Sequence, residues 1–278
     1  MLAAALARSG HSVVALHAVS ELSRLRADAL LPGVPIVAVA EVMSAAELVL
    51  LTVPDDVLPG LVTGLVTAGA VRSGQFLVHA SGRYGIDVLA PATQLGALPL
   101  ALHPVMTFTG TSLDLERLSG APFGVTAPDV LRPVAEALAV EMGGEPVWVE
   151  EQDRALYHAA LANASNHLVT LVAQSMDLLQ RAGVTEPARM LGPLMSASLD
   201  NALRHGDPAL TGPVVRGDAG TVREHLRALT AASPESRAAY IAMARLTADR
   251  AMAAGTLPAA RAADLLEVLA EPPGGGSR

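Results

Sequence analysis

The sequence predicts an α/β domain of the doubly wound kind, followed near Glu150 by an all-α helical domain. Short continuous apolar runs alternate with helical stretches through the first half, the pattern of parallel strands buried on both faces. From Asp153 to Arg181 there is then no Gly or Pro, and apolar residues recur at helical spacing. Only helical patterns follow.

The expected strands are residues 12–16 (SVVAL), 36–40, 48–53 (LVLLTV), 76–80 (FLVHA), 98–102 and 123–126. The run at 48–53 is bounded by Glu47 and by Pro54-Asp55-Asp56. The long helix over 153–181 should stop at Gly183, as a C-cap glycine would stop it. Pro193 lies inside a helical stretch and should kink or split it. Thr221-Val222-Arg223-Glu224 reads as a capping box, and Ser233-Pro234-Glu235 as a capping Ser before a Pro at the first helical position. Residues 271–278, rich in Pro and Gly, read as a disordered tail. The expected domains are therefore 1–150 and 151–270, with the tail after them.

Composition narrows the function. The chain has 278 residues, 51% of them hydrophobic, and a net charge of -8. That balance argues against nucleic acid or an anionic membrane as the main partner. There is no cysteine, so disulfides, thiolate catalysis and cysteine-ligated metals are excluded. All 19 Lys+Arg residues are arginine, which removes lysine acids and Schiff bases. The eight His residues form neither H-x-x-x-H nor H-E-x-x-H, so no metal is expected. The apolar start, Met1 to Ala7, is short and broken by Arg8; it reads as the end of a helix rather than a signal peptide. No run approaches the ~18 apolar residues of a membrane span. The expectation is a soluble cytoplasmic protein with a small-molecule substrate.

Residues 5–14 look like the end of a first helix, its turn and a second strand of a dinucleotide-binding fold. No G-x-G-x-x-G occurs. The expectation is a nucleotide-binding domain that is N-terminally incomplete, its first strand and glycine-rich turn lying in roughly 20 further residues upstream. After the second strand such domains hold the ribose or its 2′-phosphate. Ser20, Arg24 and Arg26 could grip a phosphate, which favours NADP with NAD possible; equally, the arginines could lie on a solvated helix face.

Several segments resemble a known group. Residues 47–55, His79-Ala80-Ser81-Gly82 and residues 100–108 around His103-Pro104 are similar to strand ends in pyrroline-5-carboxylate reductases, prephenate dehydrogenases and 6-phosphogluconate-dehydrogenase-like enzymes. Tyr157-His158-Ala159-Ala160, residues 166–170 and residues 210–218 look like the helical part of a bacterial family. That family is described as a Rossmann-like domain plus a domain of unknown function, and its members are provisionally named NADP oxidoreductases. The resemblance covers nearly the whole chain and implies a nicotinamide cofactor and, from related enzymes, a homodimer.

Val53, Pro54 and Asp55 end a central strand and would line the cofactor crevice, or simply cap the next helix. Ser81 and Gly82 could meet nicotinamide or substrate, or form a polar turn. His103 ends an apolar strand, and without lysine it is a natural proton donor to a carbonyl or imine, or else a satisfied loop histidine. Asn163, Asn166, His167, Thr170 and Gln174 form a polar stripe on the long helix, with His158 on its flank. Asn166 and His167 could act on the substrate, or the stripe could be a hydrogen-bonded seam. Arg216 could clamp a substrate carboxylate, or pair with Asp218. The expected function is an NAD(P)-dependent reduction of C=O or C=N in a small carboxylate-bearing substrate. The competing expectation is a non-catalytic dimeric scaffold that binds a nucleotide or other ligand.

Overall fold

Residues 1–270 are described by the computed structural model, in two compact units, Met1–Ser165 and Asn166 onward. The first unit contains α1 (Leu2–Arg8), α2 (Glu21–Leu30), α3 (Val39–Ala45), β1 (Leu48–Leu51), α4 (Leu58–Thr67), β2 (Phe76–His79), α5 (Ala90–Thr93), β3 (Leu98–Pro104), α6 (Leu113–Arg117), β4 (Pro122–Thr126), α7 (Arg132–Glu141) and β5 (Glu145–Trp148). It also holds the start of α8 (Arg154–Arg181), which continues into the second unit.

The strands lie side by side in chain order, β1-β2-β3-β4-β5. β1, β2 and β3 are parallel, with Leu51 opposite His79 and His79 opposite Ala101. β4 departs from the expected parallel sheet and runs antiparallel to β3, with His103 opposite Gly124. The chain turns back from the end of β3 through α6 without crossing a sheet face, so β4 starts where β3 stops. β5 runs parallel to β4; its Glu-Pro-Val-Trp sequence gave no apolar run to expect it from.

Period-two alternation sorts the side chains. Val78, Leu100, Leu102, Phe123 and Val125 face α1 and α7 in one core. Val49, Leu51 and Leu77 face α4 and α5 in a second core on the opposite face. His79, His103, Gly124 and Thr126 alternate with the first set and so share the second face.

Two expected strands are corrected. Residues 12–16 and 36–40 make a single parallel bridge, Leu16 to Ile36, and Val39 already begins α3. Among the described residues each has only the other as partner, and Pro35 supplies no N–H to extend the ladder.

The second unit contains α9 (Pro187–His205), α10 (Pro213–Arg216), α11 (Ala219–Ala232), α12 (Pro234–Ala253) and α13 (Ala259–Ala270). Val214, Val222, Leu226, Ala248, Leu265 and Leu269 form its core. Alanines at 244, 248 and 251 let α12 approach its neighbours closely. Gly183 ends α8 as expected, at φ +89° and with its N–H bonded to the Gln180 carbonyl. Ser233 caps α12 through the Ser236 N–H. The capping box at Thr221 is corrected: Asp218 caps α11 by accepting from the Thr221 N–H and hydroxyl, three residues earlier than expected. Pro193 does not split α9; it removes one donor from a helix otherwise complete. The expected tail lies outside the described residues.

Candidate active site

The carboxyl ends of β1, β2 and β3 open on the same side of the sheet, where open α/β folds place ligands. Three loops leave from there. Val53-Pro54-Asp55 follows β1, Ser81-Gly82 follows β2, and His103 sits near the end of β3.

The β2 turn is held from beneath. His79 is buried; its Nε2–H donates to the Gly85 carbonyl at 2.8 Å, and its Nδ1 accepts from the Ser81 N–H at 3.2 Å. Those partners fix the tautomer of a neutral ring. Burial pushes its pKa down to about 4, against the Gly85 bond that raises it. The Ser81 hydroxyl oxygen accepts from the N–H groups of Arg83 and Tyr84, each at 3.2 Å. Ser81 therefore forms the polar turn, and its hydroxyl hydrogen is left to give. Glu151, just before α8, accepts from the Ile86 N–H at 2.7 Å and the Asp87 N–H at 3.3 Å, which ties this loop down.

The start of α8 covers the β3–β4 part of the same face. Tyr157 Oη lies 2.8 Å from His103 Nδ1, and the two rings meet edge to face. His158 stands edge to face with His103 on another side, at a centroid distance of 6.1 Å. Both imidazoles press on the β2 turn: a Cβ on Gly82 would come within 2.9 Å of His103 Nε2 and 2.8 Å of His158 Cδ2. Gly124 is required for the same kind of reason, because a Cβ there would collide with the Tyr157 hydroxyl.

Arg154 is the largest fully buried side chain described, at 1% exposure. Its Nε donates to Thr126 Oγ1 at 2.7 Å, and its Nη2 to the carbonyls of Gly124 at 3.1 Å and Ala101 at 3.3 Å. Its Nη1 is buried with no partner among the described residues. Its charge has no ion pair within them, and it lies 5.7 Å from the centre of the Tyr157 ring. This cation shapes the site. Burial first, and then the Arg154 charge, pushes His103 down to about 4, with His158 adding to the effect and Asp55 opposing it. Burial raises the Tyr157 pKa, against Arg154 and a backbone bond from Gly124. At neutral pH the site thus holds a neutral imidazole hydrogen-bonded to a protonated phenol, beside a buried guanidinium on which the Glu151 carboxylate acts from a distance.

Of the residues read from sequence, Ser81, Gly82, His103 and His158 come together, and Asp55 lies close enough to act electrostatically on both His79 and His103. Ser20 and Arg24 belong to a separate place at the start of α2. Ser20 Oγ caps that helix through the Ser23 N–H, and Arg24 Nε donates to the Ala18 carbonyl. Arg24 borders an open cavity of about 620 Å³ together with His17, Asp28 and Glu41, so no net positive charge gathers there. Asn163 is exposed on α8 in the first unit; Asn166, His167 and Thr170 are exposed on α8 in the second, where Thr170 Oγ1 donates back to the Asn166 carbonyl. Arg216 is exposed at the end of α10, and Asp218 spends its carboxylate on Thr221.

Sequence reasoning missed Arg154, Gly124, Glu151 and the role of Tyr157. One signal was present: a glycine inside a strand marks a close approach. At the strand ends the Gly82 backbone packs directly against the His103 and His158 rings, with the Arg154 and Asp55 charges acting on His103. No group of three metal-ligating side chains occurs among the described residues, and no helix among them is long and apolar enough to cross a membrane.

A Rossmann-like domain model matches residues 1–104, and the model of a domain of unknown function, DUF2520, matches residues 121–247. The protein has this two-domain architecture, a Rossmann-like α/β domain followed by that helix-rich domain. Its fold is shared with a protein of Bacteroides fragilis provisionally named an NADP oxidoreductase, at 22% identity and a TM-score of 0.73, covering 89% of this chain and 93% of that one. A Streptomyces aurantiacus imine reductase is similar at 20% identity and TM-score 0.60, over 97% and 95% of the two chains. An Aspergillus terreus reductive aminase, solved with NADPH and ethyl levulinate, is similar at 16% identity and TM-score 0.62, over 96% and 94%. At these identities the likeness establishes the fold. No curated protein matches the chain with significance.

Proposed function

We propose that the protein is an NAD(P)-dependent reductase of a C=O or C=N carbon in a small carboxylate-bearing substrate. The observation that carries this reading is His103, a neutral imidazole held at the end of β3 by Tyr157, its Nε2 against the bare Gly82 turn. The kinship in fold with a reductive aminase solved with NADPH and with an imine reductase supports it. NADPH is the first choice of cofactor and NADH the second.

Gly82, Ser81 and the Val53-Pro54-Asp55 loop would hold the nicotinamide end, which when bound supplies hydride to the substrate carbon. His103 then does the acid's work. In this reading the protonated phenol of Tyr157 donates to His103 Nδ1. Nε2 therefore carries the imidazole hydrogen. It donates to the substrate oxygen or nitrogen, polarises the double bond and delivers the proton there. With a pKa near 4 the ring stays uncharged at neutral pH and does not compete as a cation for the site. Asn166, His167, Thr170 and Arg216 lie in the second unit and are assigned no step.

The test is loss of NADPH absorbance with a panel of 2-oxo acids, with and without an amine, against the His103→Ala variant. Turnover that falls about 10²-fold or more in that variant supports the reading. Equal turnover by both proteins contradicts it.

The second unit also exposes aliphatic side chains: Val169 and Leu171 on α8, and Leu194, Leu199 and Leu203 on α9. We read the α9 leucines as contacts with a second copy, since isolated chains seldom leave so much aliphatic surface wet. This reading equally serves the alternative, a non-catalytic dimeric scaffold. Sedimentation of the protein and of a Leu194→Glu, Leu203→Glu variant tests the contact. A dimer that the variant breaks supports it, and a monomer in both contradicts it.

A further inference from the structure

We propose that Tyr157, beside the buried Arg154 cation, relays a proton to His103, so that the imidazole gives one proton and gains another in the same event. The inference rests on the reductase reading and extends it to residues which that reading does not use.

The need for a relay comes from the geometry. His103 is closed in by Tyr157, His158, Gly82 and Arg154, and the charged groups that act on it are Arg154, His158, His79 and Asp55. A neutral imidazole that gave up its Nε2 proton alone would become an anion, which a single ring does not sustain near neutral pH. The Tyr157 hydroxyl is in place to prevent that, 2.8 Å from the other nitrogen. As the substrate carbon takes hydride from a reduced nicotinamide, the Nε2–H bond breaks and an O–H or N–H bond forms on the substrate. The Tyr157 O–H bond breaks and an Nδ1–H bond forms on His103. The ring passes from one neutral tautomer to the other, and the negative charge settles on the Tyr157 oxygen.

That oxygen carries the charge only transiently, because burial raises the Tyr157 pKa and the Arg154 charge opposes the rise. The buried guanidinium of Arg154 is 5.7 Å from the ring centre and keeps Nη1 without a partner among the described residues; the Glu151 carboxylate acts on its charge without forming a salt bridge to it. A buried cation with no anion in contact is costly, and a negative charge formed on Tyr157 during turnover offsets part of that cost. Solvent then returns a proton to Tyr157. In this scheme His103 is the catalytic residue, and Tyr157 and Arg154 are positioning residues that act through it.

The experiment is side-chain ¹⁵N NMR of the histidines in the full chain, for the native protein and Tyr157→Phe, joined to a solvent-isotope proton inventory on any 2-oxo acid that turns over with NADPH. His103 in the native protein is expected as the Nε2–H tautomer alone, and Tyr157→Phe should release it to a mixture. The inventory should curve, as for two protons in flight, and become linear in Tyr157→Phe, with kcat down roughly ten-fold to a hundred-fold and KM little changed. An Nδ1–H tautomer in the native protein, or a tautomer indifferent to Tyr157→Phe, overturns the relay whatever the turnover shows. A linear native inventory overturns it too. Absence of turnover with every acid, alongside the expected tautomers, counts against the reductase reading and leaves the His103–Tyr157 pairing standing.

Discussion

His103 Nδ1 and Tyr157 Oη lie 2.8 Å apart, 54 residues apart in sequence, and join the end of β3 to the first turn of α8. Gly124, opposite His103 in the ladder, makes the pair possible, because a methyl there would stand 2.6 Å from Tyr157 Cζ. Gly124→Ala is therefore expected to push Tyr157 off His103 and to cost about 1–3 kcal/mol. Urea unfolding measures the cost, and the ¹⁵N signal of His103 reports the pair. An unchanged midpoint with an unchanged tautomer would show that Tyr157 sits elsewhere.

His79 and His103 set a pH dependence of stability. Each has its folded pKa lowered from 6.5 to about 4, so in that window the unfolded chain binds more protons than the folded one. Stability is then full above pH 6.5 and is lost progressively as the pH falls toward 4. His79, fully buried, should account for about 3 kcal/mol of that loss. His79→Gln should flatten the acid limb of the urea midpoint against pH. An equally steep limb in the variant would place the effect on other groups.

Arg154 is the largest charge effect on His103, after burial. Arg154→Met should raise the His103 titration midpoint, measured by NMR. It should also destabilise the protein by about 1–3 kcal/mol for each of the Ala101 and Gly124 carbonyls left dry. A midpoint that stays or falls would mean that the guanidinium charge is screened from the ring.

Glu151 holds the loop that carries Ser81 and Gly82 through two charge-assisted bonds to backbone N–H groups. Glu151→Ala should speed hydrogen exchange at Ile86 and Asp87 by at least about ten-fold, since such bonds contribute roughly 1.5–3 kcal/mol. Unchanged exchange would show that the loop is held by its own turn.

Much of this architecture was legible in the residues, and the limits have physical causes. The runs at 48–53, 76–80, 98–102 and 123–126 all became strands, because continuous apolar runs were buried on both faces. Residues 12–16 looked the same yet formed one bridge, since a strand is defined by its partners and not by its own sequence. β5 was invisible for the opposite reason: its Glu-Pro-Val-Trp has no pattern, and its place comes from pairing with β4. His103 could be read from its position at a strand end. Its partners could not, because Arg154 and Tyr157 reach it through tertiary contacts 51 and 54 residues away, where no periodicity operates. The cap at Asp218 was missed because a Thr-x-x-Glu pattern three residues beyond the true cap is equally plausible in local sequence.

The most direct test of the account is a ¹H–¹⁵N NMR titration of the protein with NADPH, following the Gly82 amide and the His103 Nε2–H, with NADH in parallel. The account predicts saturable shifts at both, since these atoms face the same turn at the ends of β2 and β3. Binding that shifts neither, or no binding by either nucleotide to the folded protein, would contradict a nicotinamide site built around His103.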